Sequence, residues 1–357
     1  MAEILVLGAG AMGTAFCFPL ADAGNRVCLV GTHLDKDWVE DIRTKGVHPK
    51  LKKRLPVGVT VFNHNQLSEV LSSDIRLIVL GVSSPGVSWA IKQLGPLIKS
   101  PTPILMLTKG LTVKDDLLCI LPEIVQEEFN RCGIENPMVG GVGGPCIAAE
   151  LAARRNSSVI FAHPSKRHLD WLQGLAKTEY YHIRTSTDVV GVEVCAALKN
   201  FYALAIGSPA GWLQSQERET DYAQAHNLSS GLFTQALEEM RRIVRFMGGS
   251  AESVYGLPGC GDLYVTCQAG RNSRMGRLLG QGLKYSEAKA RHMPHDTIEG
   301  AELALNIGPA MEKLMEHGHI DRSSLPLGQA ILEAVCRDQP LRFSWEKFYN
   351  GTERFRP

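Results

Sequence analysis

The stretch Glu3–Gly13, EILVLGAGAMG, decides the reading of the first half of the chain. An aliphatic run from Glu3 to Leu7 ends abruptly at Gly8, and a helix-like segment then runs to Gly24. A second short apolar run spans Arg26 to Val30. Strand, glycine turn, helix and strand in that order bring a pyrophosphate to a helix N-terminus, where unpaired N–H groups and the helix dipole both favour an anion. Gly8 is expected to make the tight turn and Gly10 to admit the phosphates beside the backbone. Gly13 lets the helix pack closely, while Ala11 and Met12 fill the rest of its ligand-facing first turn.

The end of the second strand, Gly31-Thr32-His33, is where an NAD-specific site commonly offers a carboxylate to the ribose. Asp35 and Asp37 come late for that task. Thr32 and His33 are therefore the expected contacts, His33 facing ribose or phosphate or simply sitting in an exposed turn, and the choice between NAD and NADP stays open.

Working outward, strands are predicted at 59–62, 77–82, 104–107, 138–141 and 157–162, with helical segments at 67–71, 87–98 and 117–130 between them. The alternation predicts a mostly parallel sheet covered on both faces, whose functional loops lie beyond the strand ends. That rule puts Ser83, Ser84 and Pro85 near the cofactor and singles out Lys109 in Thr108-Lys109-Gly110. The basic run from His48 to Arg54 has no interleaved aromatics and reads as a solvated loop. Cys146, in the glycine-rich turn 143–146, reads as small-residue packing. After residue 162 the chain is expected to be predominantly helical.

At 357 residues the chain should form two domains, divided here at 1–186 and 187–357. Its 38 basic and 37 acidic residues nearly cancel, so no chain-wide charge argues for nucleic acid. The nine cysteines form no compact ligand cluster, and no metal is expected. The N-terminal run lacks a basic leader and no apolar stretch is expected to span a bilayer, which predicts a soluble, cytoplasmic protein without an integral membrane segment.

The second half supplies proton chemistry. Residues 188–207 are apolar around nearly the whole helical circumference, which predicts a core helix, yet Lys199 and Asn200 interrupt it. A buried ammonium is costly unless paired, whereas a lysine facing a cleft can exchange a proton near neutrality. Hydride transfer at a secondary alcohol needs such a group, because the hydroxyl proton must leave in one direction and return in the other. Asn200 can orient a substrate without moving a proton. Further on, Asp262 can hold Lys199 or a substrate hydroxyl, and Thr266 lies one helical turn beyond it. Arg271 and Asn272 offer a guanidinium fork and an amide suited to phosphate oxygens. Each has a plainer structural alternative: a helix cap for Asp262, backbone bonding for Thr266, an ordinary ion pair for Arg271.

Taken in order, the N-terminal fingerprint, Thr108-Lys109-Gly110, Ala197-Leu198-Lys199-Asn200, Gly261-Asp262-Leu263, Thr266 and Arg271-Asn272 resemble the NAD(P)-dependent glycerol-3-phosphate dehydrogenase family. The resemblance implies an α/β N-terminal Rossmann-like parallel-sheet domain followed by an all-helical catalytic domain, commonly in a homodimer. It also implies interconversion of glycerol 3-phosphate and dihydroxyacetone phosphate. Lys199 then becomes the proton carrier and Lys109 a second active-site lysine, with Asp262 organising the polar site. Asn200, Thr266, Arg271 and Asn272 take the substrate, and Glu299 belongs to a late cofactor-contact motif together with Arg271. Met12 stands where relatives often carry an aromatic residue, and Ser229 where many carry a basic one. Another phosphorylated polyol, a small hydroxy acid, or a non-catalytic NAD(P) sensor remain the competing readings. The aromatic tail, with Phe343, Trp345, Phe348, Tyr349 and Phe355, is expected to be a packing strap.

Overall fold

The structure, a computed structural model, describes residues 1–71, 74–98, 102–216, 225–268 and 270–350, the side chains of 347, 349 and 350 excepted. It forms two compact units, one of residues 1–109 and 120–193, the other of residues 110–119 and 194–357. The division thus falls after Glu193 rather than at 186/187, and a short excursion between Lys109 and Ile120 belongs to the second unit.

The first unit is built on an eight-stranded sheet: β1 (Glu3–Leu7), β2 (Arg26–Val30), β3 (Val59–Phe62), β4 (Ile75–Leu80), β5 (Ile104–Met106), β6 (Val139–Gly143), β7 (Ser157–Ala162) and β8 (Tyr181–Ser186). Their spatial order is β8-β7-β6-β5-β4-β1-β2-β3. Neighbours are parallel except β6 and β7, so β7 and β8 run against the other six. Strand alternation sorts β1 between two cores. Ile4 and Val6 pack with Phe16, Phe18 and Leu20 on one face, and Leu5 and Leu7 with Ile91, Leu94 and Val125 on the other. Burial on both faces is why these strands read as continuous aliphatic runs.

Two elements differ from the sequence reading. β8, with its alternating pattern of buried Tyr181 and Ile183 against exposed His182 and Arg184, lies in the segment expected to be helical. Residues 117–120, expected to open a helix, instead pair with Leu111–Lys114 in a two-stranded ribbon, and the helix begins at Leu121. Asp115 and Asp116 make the reversal at φ 51° and 62°, the left-handed pair that a two-residue hairpin loop requires.

The second unit is helical apart from that ribbon. The ribbon rests on the helix Glu299–Glu316, where Asn306 donates to the Leu111 carbonyl at 3.3 Å and Lys313 pairs with Asp116 at 2.7 Å. The helix Val189–Ser215 is long and apolar enough to cross a bilayer, contrary to the expectation that no stretch reaches that mark, but most of it is buried within the fold. Residues 194–206 line the core of the unit, among them Leu198, Phe201, Tyr202 and Leu204.

Glu239, fully buried on the helix His226–Phe246, ties three helices together. It accepts bonds from Gln235 Nε2 (2.9 Å), the Tyr202 hydroxyl (3.2 Å), and the backbone N–H groups of Leu327 and Gly328 (2.7 Å each). The last two open the helix Pro326–Cys336, so the carboxylate supplies partners that the helix terminus lacks. Burial nevertheless pushes this carboxyl up to about 7, its four donors pulling the other way. In the tail, the Trp345 ring lies against Gly231, where an added Cβ would meet it at 3.0 Å, and stacks edge-on with Phe348. Phe355 and the Tyr349 side chain lie outside the described residues.

Candidate active site

The glycine loop of the first unit has the geometry its sequence demands. Gly8 sits at φ 115°, and a Cβ there would lie 2.7 Å from the Gly81 carbonyl oxygen. A Cβ on Gly13 would meet the Gly8 carbonyl at 2.2 Å, so the helix Ala11–Asp22 approaches the strand too closely for any other residue. At Gly10, which precedes that helix, a Cβ would meet no protein atom within 4 Å. Nothing in the fold itself explains glycine at that position, and a pyrophosphate lying on the helix N-terminus does. The loop therefore fits a dinucleotide pyrophosphate at this helix N-terminus.

Two side chains brace the loop from behind. Asp35 Oδ2 accepts from Ala9 N (3.1 Å), Thr32 N (2.9 Å) and the Thr32 hydroxyl (2.9 Å). This carboxylate joins the glycine turn to the end of β2. His48, fully buried, faces the Ala9 carbonyl through Nε2 at 3.1 Å, while its Nδ1 accepts from the N–H groups of Lys50 and Leu51 at 3.2 Å each. That pattern assigns the proton to Nε2. Burial is the main cause holding its pKa below the usual histidine value. The segment read as a solvated loop is thus half right. Lys50, Lys52, Lys53 and Arg54 are exposed, whereas His48 and Leu51 are buried in a small ribbon formed by Val47–His48 and Lys53–Arg54. The pair His48-Pro49 inside a basic run was the available signal, masked by the charges around it.

His33 packs against Trp89 beyond the β2 end, ring centroids 5.2 Å apart and planes tilted by 55°. The loop after β4 holds Ser83 and Pro85, and Ser84 donates to the Lys109 carbonyl at 2.9 Å. Next to it, the buried Thr108 hydroxyl donates to the Val82 carbonyl at 2.7 Å. These bonds lock the β4 and β5 loops to each other and fix the backbone from which Lys109 projects, half-buried.

In the second unit, Lys199 forms an ion pair with Asp262, their side chains only 12% and 3% exposed. Such a pair is retained at a desolvation cost that apolar packing would avoid, which makes it poor evidence for stability and better evidence for chemistry. Asp262 heads the helix Asp262–Gln268, reached through a tight π-type turn at Leu257–Gly261. Gly259 in that turn is required by Val254, whose carbonyl oxygen would lie 2.1 Å from a Cβ, and not by space around Asp262.

Asn200 and Asn272 form a strut beside the pair. Asn272 donates to Asn200 Oδ1 and accepts from Gly300 N, both at 2.9 Å, and a Cβ at Gly300 would strike the Asn200 carbonyl at 2.1 Å. Thr266 bonds back to the Asp262 carbonyl at 2.7 Å, its plainer alternative. Arg271 pairs with Glu299, both about half-exposed, so the guanidinium stays accessible to an anion.

The sequence reading also missed Glu193. Glu193 is fully buried in the first turns of the helix Val189–Ser215, and neither carboxylate oxygen has a hydrogen-bond partner among the described residues. Its place among seven apolar or small neighbours, from Val189 to Ala196, was a signal of the kind that exposed Lys199.

Comparison with known proteins bears on both units. Residues 3–169 match the family described as NAD-dependent glycerol-3-phosphate dehydrogenase N-terminus, and residues 188–343 match its C-terminus. An NADP(+)-dependent glycerol-3-phosphate dehydrogenase of Archaeoglobus fulgidus is 34% identical over 285 residues, 80% of this chain and 82% of the relative. A glycerol-3-phosphate dehydrogenase [NAD(P)+] of Clostridium botulinum is 31% identical, covering 81% and 82%. The crystal structure of glycerol-3-phosphate dehydrogenase from Coxiella burnetii superposes with a TM-score of 0.78 at 26% identity, covering 99% of each chain.

Proposed function

Because the chain belongs to the NAD-dependent glycerol-3-phosphate dehydrogenase family, we propose that Lys199 carries the proton as glycerol 3-phosphate and dihydroxyacetone phosphate are interconverted. The chain is an NAD(P)-dependent oxidoreductase of that substrate pair. NAD(P) held at the glycine loop would supply the hydride chemistry of both directions. The observation that carries the proton assignment is the buried ion pair of Lys199 with Asp262, within the stretch 194–206 whose other residues, Asn200 excepted, are buried.

In oxidation Lys199 acts from its neutral amine form, taking the hydroxyl proton and becoming the ammonium that pairs with Asp262, and in reduction that ammonium returns the proton to the forming alkoxide. Asp262 orients the ammonium and keeps it near the reacting oxygen. Asn272 holds Asn200 by its Oδ1, which leaves the Asn200 amide N–H groups to donate to substrate oxygen. Arg271 exchanges its bond to Glu299 for substrate phosphate, a dianion with better complementarity to a guanidinium fork. Thr266 completes the polar wall beside Asp262. The family resemblance implies Lys109 as a second active-site lysine, a cation suited to polarising a carbonyl. The protein works as a cytoplasmic homodimer in this reading, as the family resemblance implies.

The test is a matrix of NADH and NADPH against dihydroxyacetone phosphate, a four-carbon ketose phosphate and an unphosphorylated keto acid, followed by cofactor oxidation. Dihydroxyacetone phosphate should be turned over fastest, and preference for either alternative overturns the substrate assignment. Lys199→Ala should lower kcat by about 10²-fold or more while cofactor binding, read by fluorescence titration, stays near the parent value. Undiminished turnover would sink the proton role.

A further inference from the structure

The helix Val189–Ser215 carries Lys199 and Asn200, and the helix Arg271–Gly280 opens with Arg271 and Asn272. Their contacts advance in step along both. Asn272 Nδ2 donates to Asn200 Oδ1 at 2.9 Å, and four residues on, a Cβ added at Gly276 would lie 2.1 Å from the Leu204 carbonyl oxygen. After another four, one at Gly280 would lie 1.9 Å from the Ser208 carbonyl oxygen. The approach is as close from the other helix, where a Cβ at Gly207 would lie 2.6 Å from the Ser273 carbonyl oxygen. Main chain therefore faces main chain, and no change of rotamer makes room for a methyl group. Glycine weakens a helix interior, so glycines on both sides of one contact need a reason, and close packing of the two backbones supplies it.

This contact is one side of a triangle. Lys199 pairs with Asp262 on the helix Asp262–Gln268, and Ser273 Oγ donates to the Thr266 carbonyl at 2.9 Å, tying that helix to Arg271–Gly280. The three helices bearing the proton carrier, its acid and the phosphate-binding pair are thus fixed pairwise. Main-chain contact, which cannot yield as a side chain can, sets the separation of Lys199 from Arg271 and Asn272. A substrate must reach across that separation with its reacting oxygen at one end and its phosphate at the other. We propose that Gly207 and Gly276 are positioning residues that fit this span to a three-carbon phosphate and so set the discrimination against longer ketose phosphates. The proposal rests on the roles given above to Lys199, Arg271 and Asn272. Ordinary contact begins near 3.4 Å, so a methyl group at Gly276 parts the backbones by about 1 Å. Misplacement of that size can cost about 10²-fold in rate, and a substrate one carbon longer is better matched to the widened span.

The experiment measures kcat/KM for dihydroxyacetone phosphate and for a four-carbon ketose phosphate in the full-length parent, Gly276→Ala and Gly207→Ala, with Gly308→Ala as control. Gly308 lies in the helix Glu299–Glu316, where an added Cβ meets only side chains, Cys336 Sγ at 2.9 Å and Leu332 Cδ2 at 3.2 Å. In Gly276→Ala the value for dihydroxyacetone phosphate should fall by about 10²-fold, and the ratio of the two substrates should shift toward the longer one by about tenfold or more. Gly207→Ala, with the smaller overlap, should shift the ratio the same way by less, and it carries the test if Gly276→Ala does not fold. Gly308→Ala should keep the parent ratio. Loss of folded protein lowers both values alike and leaves the ratio unmoved. An unchanged ratio in a folded seam variant overturns the proposal, as does an equal shift in Gly308→Ala. So does failure of both seam variants to fold beside a folded Gly308→Ala, which would make the glycines a support of the fold alone. Failure of the substrate assignment shows instead in the parent, as a preference for the longer phosphate or the keto acid before any substitution.

Discussion

Glu193 and Glu239 are both fully buried glutamates whose carboxyl groups burial pushes far above the ordinary range, yet their surroundings are opposite. Glu239 has two donors on each oxygen, two of them from the start of a helix. Glu193 has none among the described residues, only the field of a lysine. The contrast separates two reasons for keeping an acid in a core. A carboxylate that completes its bonds inside the fold joins elements together, and its removal should be felt as instability. One left incomplete costs stability where it stands, and its removal should be felt in the behaviour of whatever it faces.

The comparison breaks most readily at Glu239. Glu239→Ala leaves the N–H groups of Leu327 and Gly328 without their acceptor and opens a cavity, and should cost about 3–4 kcal/mol in chemical denaturation. A loss under about 1 kcal/mol would mean that the three-helix junction does not depend on it. The pH dependence comes next in size. With a folded value of about 7 against a reference of 4.5, Glu239 binds its proton more tightly in the folded state. Its contribution is fully present below pH 4.5 and is lost as pH rises through 7, by about 3 kcal/mol at 1.36 kcal/mol per unit. Denaturation midpoints across that window should fall with rising pH in the parent, and Glu239→Gln should make the fall shallower, leaving the part that Glu193, pushed up to about 8, contributes with the same sign. An unchanged slope would assign the titration elsewhere. Smallest is Glu193→Met, expected to leave stability unchanged or to raise it by about 1–2 kcal/mol, because it removes a buried carboxyl group with no hydrogen-bond partner among the described residues. Destabilisation comparable to that of Glu239→Ala would erase the distinction between the two residues.

How far the sequence carried the structure follows from the same physics. The first strand, turn and helix were legible at Glu3–Gly13 because glycine geometry and buried-strand composition are local and severe. Lys199 was legible because a cation interrupts a long apolar pattern. β8 was not, since residues 181–186 carry polar side chains on an exposed face and hide within a helical stretch. The ribbon at Leu111–Ile120 was equally obscure, its turn made by two aspartates where the familiar signal is a glycine. Asp35 was weighed only as a ribose ligand, and the structure turns it inward to Ala9 and Thr32. His48 was hidden by its charged neighbours. Such bonds between distant residues leave no periodic trace. Glu193 carries the same kind of signal as Lys199, an ionisable side chain in a long apolar run.

The ribbon between Lys109 and Ile120 also constrains the order of events during synthesis. Its receiving residue, Asn306, lies 195 positions beyond Leu111, so at about 5–20 residues per second the ribbon waits roughly 10–40 s on the ribosome before its dock exists. The sheet strands on either side can pair during that interval while the intervening loop stays unclaimed. A gene fragment ending near residue 193 would therefore carry a permanently undocked hairpin, and one beginning there would lack it. Neither half of this chain is obtained intact by a single cut.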